Sequence, residues 1–263
     1  MRILVTGAGR AIGAATATVL AAAGHEVIAT ARDVSLLADL DVAMKLALDV
    51  TNEASIEACL AQAGPIDVLV NNAALGGSAP LETFPLDHIR SMFETNSLGP
   101  VRMAQKVIPS MRERGHGVIV NVSSIQGRVA TPLEGPYAAT KFALEAFSEA
   151  LHYEVGHFGI RVVIIEPGYT APGMKMNNDH LPHPDTYQGL YEQWSNTDSK
   201  VTGEGGRPGP EIVGNAILAA INDPSTPLRV RVGEDTNMIL GARTAMDDET
   251  FESTMRAVLG LTW

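Results

Sequence analysis

Tyr137 and Lys141 lie four residues apart in a segment of helical pattern, Tyr137-Ala138-Ala139-Thr140-Lys141. That spacing puts both side chains on one face, where the ammonium can reach the phenol or its neighbours. Thirteen residues before the tyrosine stands Ser124, which with Ser123 closes the β-branched run Val118 to Val122. A phenol, an ammonium and a hydroxyl can hold and move protons. A lone Tyr-x-x-x-Lys is common in helices, so chemistry requires a fold that brings the three groups together and a reactive partner beside them.

A site for such a partner is written at the start of the chain. The run Ile3 to Thr6 empties into Gly7-Ala8-Gly9-Arg10-Ala11-Ile12-Gly13, and an alanine-rich helical stretch follows. Glycines let a backbone turn tightly and approach a pyrophosphate, whose charge is favoured by the unpaired amides of a helix start. The spacing differs from G-x-G-x-x-G, because position 12 is Ile and the third glycine falls at 13. By themselves these glycines fit a tight strand-to-helix connection equally well. A dinucleotide site for NAD carries a carboxylate at the end of the second strand. The corresponding stretch reads Thr30-Ala31-Arg32-Asp33, with Ala31 in the acid's place, Arg32 after it and Arg10 nearby. Two cations and no acid suit a 2'-phosphate and favour NADP(H) over NAD(H). Asp33 precedes Val34-Ser35-Leu36-Leu37 and reads as a helix N-cap; in the competing reading it holds the ribose.

The elements that must position these residues follow a regular rhythm. Short β-branched runs, Ile3 to Thr6, Glu26 to Ala31, Lys45 to Val50, Ile66 to Asn71, Gly117 to Ser124 and Ile160 to Glu166, alternate with longer helical patterns. Parallel strands need crossover helices, so the expected fold is α/β: a doubly wound, mainly parallel Rossmann sheet in three α/β/α layers. Ligands of such sheets bind at the carboxyl ends of the strands. The chain reads as one domain over 1–263, closing with a helix (Pro210 to Asn222), a strand (Leu228 to Val232) and a last helix (Asp247 to Leu259). A segment at about 170–210, rich in Pro, Gly, Asn and Asp, breaks the rhythm and is expected to be a substrate lid or a mobile loop.

Composition narrows the function classes. An apolar fraction of 45% is that of a globular protein, and a net charge of -11 disfavours a phosphate backbone as partner. The single cysteine, Cys59, cannot form an intrachain disulfide and reads as a buried thiol, which fits a reducing cytoplasm. The opening residues leave no room for a signal peptide, and the run Ala14 to Ala23 is about half the roughly 20 residues a membrane span needs.

Together with Asp49-Val50, Asn71-Asn72-Ala73-Ala74, Asn96 and Pro167-Gly168, all in the same order, these residues resemble the short-chain dehydrogenase/reductase family in its single-domain form. The resemblance covers roughly the first two thirds of the chain. It implies hydride transfer between a nicotinamide and a carbonyl or alcohol carbon, with Tyr137 as general acid/base and Ser124 bonding the substrate oxygen. Lys141 would hold the nicotinamide ribose, and Asn96, within a helix, would help relay protons through water to Lys141. A free phenol titrates near pH ~10, so a phenolate at neutral pH needs positive charge from Lys141 and an oxidised nicotinamide. The implied cofactor contacts are Gly7, Gly9, Arg10, Ala11, Ile12, Gly13, Arg32, Asp49, Val50, Asn72, Ala73, Tyr137, Lys141, Pro167, Gly168 and Thr170. Asp49 has a competing role as a helix cap, and Asn71 and Asn72 as turn residues. The sequence departs from the family pattern at Ala11, where the middle glycine is usual, at Ala74, and at Thr170, which comes early after Gly168.

At the substrate end, Met174, Met176, His180, His183, Tyr187, Leu190, Tyr191 and Trp194 suit an apolar or aromatic small molecule or plain packing. The histidines lack further ligands at telling spacing, so no metal is expected. Two other functions share the fold: a catalytically silent dinucleotide sensor, which intact Ser124, Tyr137 and Lys141 oppose, and an epimerase or dehydratase. By resemblance, a homodimer or homotetramer would form on the helices around Leu86 to Arg114 and Gly135 to His157, whose apolar residues exceed what the sheet needs.

Overall fold

The β-branched runs pair into one sheet in the computed structural model, which describes residues 1–173, 180–197, 200 and 206–263. Its strands are β1 (Arg2–Val5), β2 (Glu26–Ala31), β3 (Met44–Ala47), β4 (Val68–Asn71), β5 (Gly117–Val122), β6 (Ile160–Pro167) and β7 (Arg229–Val232), in the order β3-β2-β1-β4-β5-β6-β7. Every adjacent pair is parallel. The chain winds outward from β1 to β3 and then returns to β4 on the other side of β1. The switch point between β1 and β4 is where such sheets open a crevice for a ligand.

Residue alternation decides which layer each side chain enters. Ile3 and Val5 of β1 join one apolar layer with α1 (Ala11–Ala22) and α7 (Glu211–Asn222), whereas Leu4 joins the other with α2 (Glu53–Ala63) and α4 (Gly99–Arg114). Gly214 allows α7 to approach α1 closely, since a Cβ there would lie 3.1 Å from the Thr16 Cα. The remaining helices are α3 (Leu86–Phe93), α5 (Gly135–Val155), α6 (Gln188–Ser195), α8 (Glu234–Ala245) and α9 (Asp248–Leu259). No helix among the described residues is long and apolar enough to cross a membrane.

Three features differ from the sequence expectation. The run Lys45 to Val50 pairs only as far as Ala47, and the rest turns away towards α2. The irregular 170–210 segment contains α6, and α8 lies between the last strand and the last helix; its interior Asn, Thr and Gly weaken the helical pattern. Between α3 and α4 the helix passes through a π turn, Glu94–Leu98, closed by the Gly99 amide on the Glu94 carbonyl. Pro100 has no N–H to give the Asn96 carbonyl, so an unbroken α ladder cannot run through this point.

Candidate active site

At the carboxyl ends of β1 and β4 the glycine loop is fastened by side chains. The Thr6 hydroxyl accepts from the amides of Asn72 at 2.9 Å and Ala73 at 3.0 Å, and the Asn72 amide group donates to the Thr6 and Gly7 carbonyls. Gly7 has φ +66, and a Cβ on it would approach the Ala73 Cα to 2.8 Å. On Gly13 a Cβ would overlap the Gly7 carbonyl, and on Gly9 it would come within 2.9 Å of Leu36. The loop's tight packing therefore requires all three. Ala11 sits at φ +44, a left-handed conformation that costs an L-residue roughly 1–2 kcal/mol and suits the glycine usual in the family. Ile12 packs its side chain into the core, which leaves its backbone for any ligand.

Other residues expected at a dinucleotide follow β1, β2 and β3. Arg10 is extended and provides no side-chain cap, so the first amides of α1 remain open to an anion. The Arg10 and Arg32 side chains are exposed, and neither has a carboxylate partner among the described residues. Ala31 is buried at the end of β2. Asp33 is occupied locally: its carboxylate accepts from the Ser35 amide at 3.0 Å and hydroxyl at 2.7 Å, which hold its pKa below the usual range. Asp49 closes a turn onto Thr51, and the cap of α2 is Asn52, so the helix-cap reading of Asp49 is corrected. Val50 is buried against Gly99.

Beyond β6, Pro167 and Gly168 lead to a backbone held from the far end of the chain. The Asp235 carboxylate accepts from the Tyr169 amide at 2.8 Å and lies against Gly168, where any Cβ would strike it. Thr170 is buried. Sequence reasoning missed Asp235, whose signal is an acid in the first turn of α8 just after β7.

The proton-transfer residues meet between β5 and α5. Ser124 stands two residues beyond the end of β5 at the head of a short 3-10 turn, and its hydroxyl accepts from the Gln126 amide at 3.1 Å. The Ser124 hydroxyl lies close enough to the Tyr137 phenol to act on its protonation. Lys141 is 3% exposed; its Nζ donates to the Val122 carbonyl at 2.7 Å and lies 5.7 Å from the centre of the Tyr137 ring. Burial lowers the Lys141 ammonium to about 8, against an upward pull from Glu145. Burial likewise pushes the Tyr137 phenol up, with the Ser124 hydroxyl opposing the rise and Glu134 adding to it. The phenol of the protein alone is therefore a held proton donor, and it becomes a base only when positive charge is brought closer.

The Asn96 side chain is held within the protein. Its Oδ1 accepts from the Leu75 amide at 2.7 Å, and its Nδ2 donates to the Leu75 carbonyl at 2.8 Å and to the Thr140 hydroxyl at 3.0 Å. The side chain is thus committed to fastening the segment after β4 onto the turn of α5 between Tyr137 and Lys141. Asn71 is buried and joins a polar chain, donating to Asn121, which donates to Ser148 of α5. Gln126 and the half-buried Glu134, which bond each other beside Tyr137, were also missed.

Of the substrate-end residues, Leu190 and Trp194 line an apolar cavity, described below, while His183 stacks on Tyr191 and Tyr187 bonds Glu82 at 2.7 Å. His180 is exposed, and Met174 and Met176 lie outside the described residues.

Known proteins resemble this chain in sequence and fold. The short chain dehydrogenase family model matches residues 1–181. A 3-ketodihydrosphingosine reductase of Bacteroides thetaiotaomicron is 34% identical over 240 residues, covering 88% of this chain and 87% of the relative. The crystal structure of a short-chain dehydrogenase from Streptomyces avermitilis superposes with a TM-score of 0.82 at 34% identity, covering 99% of this chain and 97% of that one. A short chain dehydrogenase from Burkholderia cenocepacia, solved in complex with NADP, gives a TM-score of 0.77 at 26% identity over 99% and 97% of the two chains.

Proposed function

The chain belongs to the short-chain dehydrogenase family and is an oxidoreductase, and from that premise we propose that it moves a hydride between NADP(H) and a carbonyl or secondary alcohol carbon of an apolar small molecule. The observation that carries this reading is the meeting of Ser124, Tyr137 and Lys141 at the strand ends that also hold the glycine cradle. A bound nicotinamide supplies the hydride donor or acceptor. The chain's own residues do the rest: Ser124 bonds the substrate oxygen, Tyr137 gives or takes its proton, and Lys141 holds the nicotinamide ribose and supports the phenolate. Gly7, Gly9, Gly13 and the open amides of α1 receive the pyrophosphate. Asp49, Val50, Asn72 and Ala73 border the adenosine half, and Pro167, Gly168 and Thr170 the nicotinamide half. Asn96 belongs to the machinery as a positioning residue. A reducing, cytoplasmic setting suits the buried Cys59, whose thiol burial pushes up to about 11.

The preference for NADP(H) rests on the guanidiniums of Arg10 and Arg32, which have no carboxylate partner among the described residues, and on the buried Ala31. A charge-assisted hydrogen bond contributes roughly 1.5 to 3 kcal/mol, so Arg32→Ala should weaken NADP binding by about tenfold or more and leave NAD nearly unchanged. Ala31→Asp combined with Arg32→Ala should turn the preference towards NAD. Isothermal calorimetry with NADPH and NADH measures both, and tighter NADH binding by the unmutated protein would defeat the phosphate-clamp reading. A panel of ketones, aldehydes and secondary alcohols followed by absorbance tests the reaction itself.

We also propose a homodimer or homotetramer. Phe142, Phe147 and Tyr153 stand exposed along α5, and Leu86 at the start of α3 is exposed as well, an apolar surface that association would cover. Light scattering at micromolar concentration should give twice or four times the chain mass; a monomer would refute the assembly.

A further inference from the structure

A cavity of about 420 Å³, within the range of pockets that enclose small ligands, is lined in part by the turn that follows Ser124. It begins at Ile125, the neighbour of Ser124, and passes Val129 and Tyr169 to reach Trp194, Phe251 and Leu259. The C-terminal helix α9 thus forms one wall, α6 another, and the turn that carries Ser124 the third. The Thr197 hydroxyl in the lining is already engaged, donating to the Trp194 carbonyl at 2.7 Å. The charged pair Arg256 and Glu252, joined at 2.9 Å, is half exposed and marks the rim. The lining is dominated by apolar side chains such as Ile125, Val129, Phe251, Met255 and Leu259, so burial of hydrocarbon there is favourable.

We propose that this cavity is a hydrocarbon-chain chamber, which receives the apolar tail of a long-chain carbonyl or alcohol while its oxygen is held at Ser124 and Tyr137. The part about the oxygen rests on the proposed reaction; the chamber itself does not. At roughly 30 Å³ per heavy atom, the share of a water molecule in the liquid, the space accommodates on the order of ten carbons. The proposal narrows the substrate class from any apolar molecule to one with an extended tail.

The chain has two tryptophans, Trp194 and Trp263, and both line the cavity. Intrinsic tryptophan emission therefore reports its occupation directly, with no cofactor or turnover needed. Titration of the full-length protein with 1-alkanols from hexanol to dodecanol should give saturable emission changes, with affinity rising roughly tenfold for each two methylenes, as about 0.8 kcal/mol per methylene implies. In a parallel assay with NADPH, 2-alkanones of matching length should show kcat/KM rising with the tail. Ala130, an exposed cavity residue outside the proton-transfer machinery, serves to fill the space. Ala130→Phe should remove the titration and flatten the length dependence without impairing turnover of 2-butanone, and Ala130→Leu should give an intermediate result.

Absence of a saturable emission change in the unmutated protein would overturn the proposal. So would titration that proceeds normally while kcat/KM ignores both tail length and the Ala130 variants, since the cavity would then be separate from the substrate. Saturable titration with no turnover of any alkanone would instead overturn the proposed reaction and leave chain binding standing.

Discussion

Tyr137→Phe should lose about 10²- to 10⁴-fold in kcat while binding cofactor nearly as well as the parent, because it deletes only the transferable proton. The ring itself packs with Ala79, Phe84 and Met92, and phenylalanine preserves that packing. Calorimetry for the dinucleotide and initial rates for turnover separate the two effects; a variant with near-parental turnover would remove Tyr137 from the reaction. Lys141→Ala provides the contrast, since it should weaken cofactor binding as well as turnover. With its ammonium at about 8, Lys141 loses charge as the pH rises through that value, so cofactor retention in the parent should decline on the same limb.

Arg229→Met should destabilise the fold by about 3 to 5 kcal/mol, the usual result of stranding a buried charge. Arg229 of β7 bonds Glu145 at 2.9 Å and Glu149 at 2.5 Å, and it stands 3.9 Å from Glu166. Glu145 and Glu166 are 4% and 1% exposed, and one carboxylate oxygen of each lacks a hydrogen-bond partner among the described residues. Burial, and then the neighbouring Glu145 charge, already push the Glu166 carboxyl up, while Arg128, Arg229 and Arg231 pull it down. A carboxyl with a raised folded pKa binds its proton more tightly when folded than when unfolded. Stability then grows as pH falls from that pKa towards the ordinary carboxylate range. The deficit of Arg229→Met should accordingly shrink between neutral pH and about pH 5, by urea unfolding at each pH. Adding Glu145→Gln should restore part of it, since the stranded charge is then removed. A loss that is small and independent of pH would show that these carboxylates do not depend on Arg229.

What the sequence determined by itself is local. Ile3, Leu4 and Val5 alternate between two apolar layers because a strand's side chains alternate, and that period is readable without coordinates. The glycines at 7 and 13, the cap at Asp33, and the order of Ser124, Tyr137 and Lys141 belong to the same category: each rests on backbone geometry or on spacing within one or two elements.

Only the tertiary structure decided which distant groups share a space. The Asn96 side chain bonds Leu75 and Thr140, 21 and 44 residues away, and so fastens the segment after β4 to α5. Asp235 holds the Tyr169 amide across 66 residues, and Arg229 neutralises Glu145 across 84. No periodicity encodes such pairs, because a hydrogen bond or ion pair depends on where packing brings two side chains and on how much water that packing removes. The chamber beside Ser124 has the same origin: Ile125, Trp194 and Phe251 read singly as core residues, and only the closure of α6 and α9 over the strand ends leaves a space between them.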